Sequence, residues 1–193
     1  MDNVLTIAEE RLNLFAHMAN SACGLSLWCF GMKKQLYTCT CPAEKEFRLF
    51  LDLGQCLDYA IAHGPESHAP ILMSDPIGML WVAECVWHGD DASYLVILGP
   101  VFDAAASWQT LQNCLRGMNL SVSLTATIME KLEQVPILPL STLHQYIKML
   151  HWVLYEETLD VGSIRLQNRS NIIPDKEESP SPWDLSLIHI SEP

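Results

Sequence analysis

Two cysteines stand one residue apart in Cys39-Thr40-Cys41-Pro42. Alternate side chains of a β-strand share a face, so both thiols can reach one metal ion or each other. Cys29, on the neighbouring predicted strand, can add a third ligand. The same thiols also suit small hydrophobes filling a sheet face, and a tetrahedral site needs a fourth ligand. Cys41-Pro42 has the form of a haem-thiolate dipeptide, a match of only two residues. His144 and His151, seven positions apart, fall on one helix face two turns from each other, too far to chelate one ion. They read as histidines of a helix surface or a dimer face.

Other chemistry is mostly missing from the local patterns. The nine glycines are dispersed, and no phosphate-binding glycine loop, G-x-S-x-G elbow or H-E-x-x-H pair occurs. The expectation is a chain that is not an enzyme and carries no cofactor. Aromatic residues on predicted strands offer a different chemistry. Small-molecule pockets are apolar with a few fixed polar groups. Trp28, Trp81 and Tyr94 are candidates for the walls, with Glu84, Ser74 and Asp75 for the polar groups. Glu84 draws notice because its neighbours Trp81-Val-Ala and Cys85-Val-Trp87 are all apolar.

The elements that must position these residues follow from periodicity. Residues 4–20 repeat apolar side chains at helical spacing (Leu5, Ala8, Leu12, Phe15), with Gly24 soon after. Leu25–Phe30 and Leu36–Cys41 read as a hairpin that Pro42 ends. Residues 43–63 return to a helical period and stop at Gly64-Pro65. Strands follow at 70–74, 78–88 and 93–98, separated by Asp75-Pro-Ile-Gly78 and Gly89-Asp-Asp91, both with turn chemistry. Ser107, Ser121 and Ser141 read as N-caps of three further helices. The order strand, strand, helix, strand, strand, strand predicts an α+β fold. It is a PAS/GAF-like antiparallel sheet with flanking helices, placed on one side, and a C-terminal helical segment. In the last helix the apolar arc is wide, and Tyr146, Leu150 and Val153 are candidates for contact with a second copy.

Composition limits the partners. Of the 193 residues 49% are hydrophobic, enough for a core without metal or disulfides, and only 18% are charged. The formal net charge of −12 opposes contact with nucleic acid. The N-terminus lacks the pattern of a signal peptide, and no apolar run is long enough to span a membrane. The cysteines, odd in number at seven, fit reduced thiols in a cytoplasmic protein. Residues 1–160 are expected to form the domain. Residues 161–184, rich in Ser, Pro, Asn and charge, read as a linker.

Four segments carry a resemblance: LMSDPIGMLWVAEC at 72–85, YLVILGPVF at 94–102, LSVSLTATIMEKLEQVPILPLSTLHQYIKMLHW at 120–152, and the Tyr155-Glu-Glu157 that follows. They resemble the N-terminal sensory region of AraC-type bacterial transcription regulators, of the Firmicutes-like kind, over roughly residues 1–160. The resemblance implies a domain that senses a small-molecule effector and pairs as a homodimer. DNA would be bound only by a C-terminal helix-turn-helix half that is missing here. Leu185–Pro193 (LSLIHISEP) resembles a translated sequencing adapter, so a non-native tail is expected there. The alternative expectation is a metal, haem or thiol redox sensor built on Cys39 and Cys41.

Overall fold

A computed structural model describes residues 2–88, 91–105 and 107–167, with side chains from residue 9 onward. Most of the expected linker, the expected tail and the Gly89-Asp90 turn lie outside the described residues. The first helix, α1 (Asp2–Cys23), turns Leu12, Phe15, Ala16 and Ala19 inward at i, i+3, i+4 and i+7, leaving Glu9 and Glu10 exposed. Gly24, at φ 72°, closes it with an N–H donated to the Asn20 carbonyl at 2.8 Å.

Six strands form one mixed sheet: β1 (Leu27–Gly31), β2 (Leu36–Cys39), β3 (Ile71–Ser74), β4 (Leu80–His88), β5 (Asp91–Val101) and β6 (Arg165–Leu166). Their spatial order is β2-β1-β5-β4-β3-β6. The first five pair antiparallel, and β6 joins β3 in parallel. Residues 165–167 were expected to belong to the linker. Instead Arg165 and Gln167 donate backbone N–H groups to the carbonyls of Pro70 and Leu72, both at 2.9 Å.

Helices cover both faces of the sheet, not one. In the central strands β1, β4 and β5 both alternating sets of side chains are apolar, and such strands stay stable only when buried on each side. Leu27, Cys29, Val82, Val96 and Leu98 pack under α1 and under α6 (Leu140–Tyr155). Trp28, Phe30, Trp81, Ala83, Cys85, Leu95 and Ile97 pack on the opposite face. There they meet α2 (Glu44–Leu53), α3 (Cys56–His63), α4 (Trp108–Gly117) and α5 (Val122–Leu132). Burying each large apolar side chain contributes about 1.5–3 kcal/mol.

The helix expected over 43–63 is broken into α2 and α3. Gly54 passes so close to the next strand connection that a Cβ there would lie 3.1 Å from the Asp75 backbone, and Gln55 turns the chain at φ 51°. The serine caps divide likewise. Ser107 Oγ accepts the Thr110 N–H at 3.1 Å and Ser121 Oγ accepts the Leu124 N–H at 3.2 Å. Ser141 does not cap α6, which begins at Leu140 behind Pro139 with no side-chain cap. Among the described residues no helix is long and apolar enough to cross a membrane.

Candidate functional site

The six residues chosen for a common pocket lie on two faces of the sheet. Trp28 and Trp81 meet edge to face, centroids 6.0 Å apart, and both are fully buried. Trp28 Nε1–H donates to the Gly99 carbonyl at 2.8 Å. Gly99 sits at φ 135°, and a Cβ there would come 2.9 Å from the Leu80 carbonyl. Asp75 holds the β3–β4 connection together. Its Oδ1 accepts the Ile77 and Met79 N–H groups at 3.1 and 3.0 Å, and its Oδ2 accepts Trp81 Nε1–H at 3.0 Å. Burial pushes the Asp75 carboxyl up to about 7, against the pull of these donors. Ser74, half-buried, ends β3 opposite Leu80. Trp28, Trp81 and Asp75 are thus internal struts of the sheet and its turn.

Glu84 and Tyr94 face the other way, under α1 and α6. Glu84 is 1% exposed, and its Oε1 lies 3.3 Å from Nδ1 of His151, itself 4% exposed. The approach lacks hydrogen-bond geometry, so both Glu84 oxygens and His151 Nδ1 have no hydrogen-bond partner among the described residues. Burial raises the pKa of Glu84, and His151 opposes the rise. Tyr155, one turn on, donates its hydroxyl to the Cys85 carbonyl. Its ring lies 4.9 Å from that of His151 and stacks at 4.8 Å on His68, which is exposed. A row of rings thereby runs from solvent to the buried carboxyl.

His151 is therefore not a surface or dimer-face histidine. The sequence did contain a signal for it. Leu143, Ile147 and His151 form an i, i+4, i+8 stripe, which puts the imidazole on the buried side of α6. The same helix carries Tyr146, Leu150 and Val153, the residues expected to meet a second copy. Leu150 is fully buried, and Tyr146 and Val153 are half-buried against the layer of α1 and the sheet. Met149 and Trp152 are the exposed apolar residues of α6.

A groove of about 330 Å³ opens between α1 and strands β1, β2 and β5. Leu12, Ala16, Leu27 and Cys29 supply apolar surface, and Glu9, Asn13, Tyr37, Thr38, Thr40 and Tyr94 supply polar groups. The pKa of Cys29 is raised to about 11 by burial and then by Glu9. That of Tyr94 is raised by burial and then by Cys29 and Glu9. Tyr94 pairs across the sheet with Val86, two residues from Glu84, so the groove ends near the buried acid. A larger cleft of about 670 Å³ lies between α4 and α5. Its lining has Arg116 and amides but no thiol, imidazole or carboxylate, and none of the six residues chosen from sequence reaches it.

Cys39 and Cys41 stay together at the edge of the sheet. Cys41 N–H donates to Cys39 Sγ at 3.2 Å. Cys29 cannot join them, because it pairs with Thr38 and points to the opposite face. Among the described residues no group of three or more His, Cys, Asp or Glu side chains is arranged to hold a metal ion.

Compared with known proteins, the chain matches no family model, no curated protein and no solved structure.

Proposed function

We propose that this chain is the effector-sensing module of an AraC-type transcription regulator, built on a PAS/GAF-like plan. In this reading a small molecule seats in the groove between α1 and the sheet. The observation that carries it is the groove itself. It offers about 330 Å³ of largely apolar space with a carboxylate, two phenols and hydroxyls in its lining, the composition of a small-molecule site. Glu9 favours a ligand with a hydrogen-bond donor or positive charge. The signal would leave through α6, which packs on α1 and faces Glu84 through His151. DNA binding belongs to a helix-turn-helix half outside these residues, in keeping with the acidic surface.

The test is a thermal-shift screen of the purified chain against a metabolite panel, since a ligand that binds only the folded state raises its melting temperature. A compound that stabilises the protein should lose its effect in Thr38→Trp, which fills the groove from an exposed strand position. A panel without stabilising compounds, or a shift untouched by Thr38→Trp, would overturn this seat for the ligand.

A further inference from the structure

Cys39 and Cys41 have an arrangement that the sensing role does not use. They lie where the edge strand β2 gives way to α2, on the face opposite the ligand groove. The Cys41 N–H donates to Cys39 Sγ at 3.2 Å, and Ser26 and Ala43 share a cavity wall with Cys41. Hydrogen bonds to a sulfur favour its thiolate form. The Cys39 thiol, then the Ala43 and Ser26 donors, outweigh burial and bring Cys41 down to about 7, while Cys39 is raised. The thiol with the lower value is Cys41 and the one with the higher value is Cys39, two residues away at the same sheet edge.

Cys41 also borders a cavity of about 180 Å³, with Asn20, Ser26, Pro100 and Gln134 in the walls. That volume admits a small polar molecule beside the sulfur. By contrast, burial is the leading cause that lifts Cys29 and Cys85 each to about 11. Cys23 and Cys114 are half-buried free thiols and provide internal comparisons.

We propose that Cys39 and Cys41 form a reversible dithiol–disulfide site for a small hydroperoxide. The Cys41 thiolate attacks the outer peroxide oxygen, and the O–O bond breaks. The leaving oxygen takes a proton and departs as water or an alcohol, and Cys41 becomes a sulfenic acid. The Cys39 sulfur then attacks the Cys41 sulfur. An S–S bond forms, the S–O bond breaks, and the Cys39 proton leaves with the hydroxyl as one water. Two thiols are oxidised by two electrons and one hydroperoxide is reduced. This site is independent of the ligand groove.

The experiment exposes the reduced protein to hydrogen peroxide and maps the products by mass spectrometry. Cleavage after Lys34 and Lys45 releases Gln35–Lys45, which holds Cys39 and Cys41 and no other cysteine. The expected product is this peptide lighter by two hydrogen atoms, restored by dithiothreitol, and formed at least about tenfold faster than oxidation at Cys23 or Cys114. Cys39→Ser should leave a dimedone-reactive sulfenic acid on Cys41, and Cys41→Ser should abolish the rapid reaction. Oxidation of Cys23 or Cys114 at an equal rate would overturn the proposal. So would Cys41 passing directly to the sulfinic acid in the wild type. The wild-type map suffices on its own should either variant fail to fold.

Discussion

Glu84 is a carboxyl in the middle of a buried strand, with the His151 imidazole 3.3 Å from Oε1 and, among the described residues, no hydrogen bond to either oxygen. Because its pKa is raised in the folded state, the folded protein holds the proton more tightly than the unfolded chain. Stability is then undiminished below the ordinary value of 4.5 and falls as pH rises above it. Asp75, raised from 3.8 to about 7, acts in the same direction. Every tenfold gain in proton affinity on folding corresponds to about 1.4 kcal/mol. Urea unfolding at a series of pH values should show Glu84→Gln losing less stability than the wild type as pH rises above about 4.5. An identical slope in both proteins would show that Glu84 is not strained by burial. Trp81→Phe removes the donor to Asp75 Oδ2 and should cost about 1–3 kcal/mol in the same assay. The sequence marked Glu84 by its apolar neighbours but held no means of pairing it with His151, sixty-seven positions away.

Helix starts show why a local rule can be right twice and wrong once. Ser107 and Ser121 cap α4 and α5 because their extended backbones aim the hydroxyl at an orphan N–H three residues ahead. Ser141 lies inside α6, because Pro139 already fixes the chain at the helix start. Ser107→Ala and Ser121→Ala should each lower stability by about 1 kcal/mol, and Ser141→Ala by much less; equal losses at all three would contradict the capping pattern. The α2–α3 break shows the opposite limitation. Residues 43–63 keep a helical apolar period throughout, yet Gly54 must pass the Asp75 backbone and the helix gives way. At the end of β5, Gly99→Ala would place a methyl 2.9 Å from the Leu80 carbonyl at φ 135°. A loss of at least about 2 kcal/mol is expected, measurable by thermal or urea unfolding.

At the scale of the molecule, the domain extends past residue 160. Arg165 donates to the carbonyls of His63 and Ala69 at 2.7 and 3.1 Å and reaches Glu66 at 3.2 Å, fastening β6 to the edge of the sheet. A protein ending at residue 160 should therefore be about 2–4 kcal/mol less stable than one ending at 167. Equal unfolding midpoints and slopes would make the last strand dispensable. The acidic charge acts at this scale too. With a formal net charge of −12, the chain should not retain a DNA fragment in a mobility shift at low salt.

Periodicity, turn residues and caps were enough to determine the α+β character, the order of the first five strands along the chain and the helix that carries His151. These are local properties, set by which side chains recur on one face and where glycine or proline interrupts them. The tertiary structure decided which face each set of side chains meets. Both faces of β1, β4 and β5 are apolar, so alternation separated Trp81 from Glu84 but did not say that helices would cover both. It also decided that Tyr94 borders a groove while Trp28 and Trp81 fill the core, and that Arg165 returns to β3 across nearly a hundred residues. Cys39 and Cys41 lie between the two cases. Their spacing alone brought the thiols together, but only the fold set Cys41, and not Cys39, beside a cavity with Ser26 and Ala43.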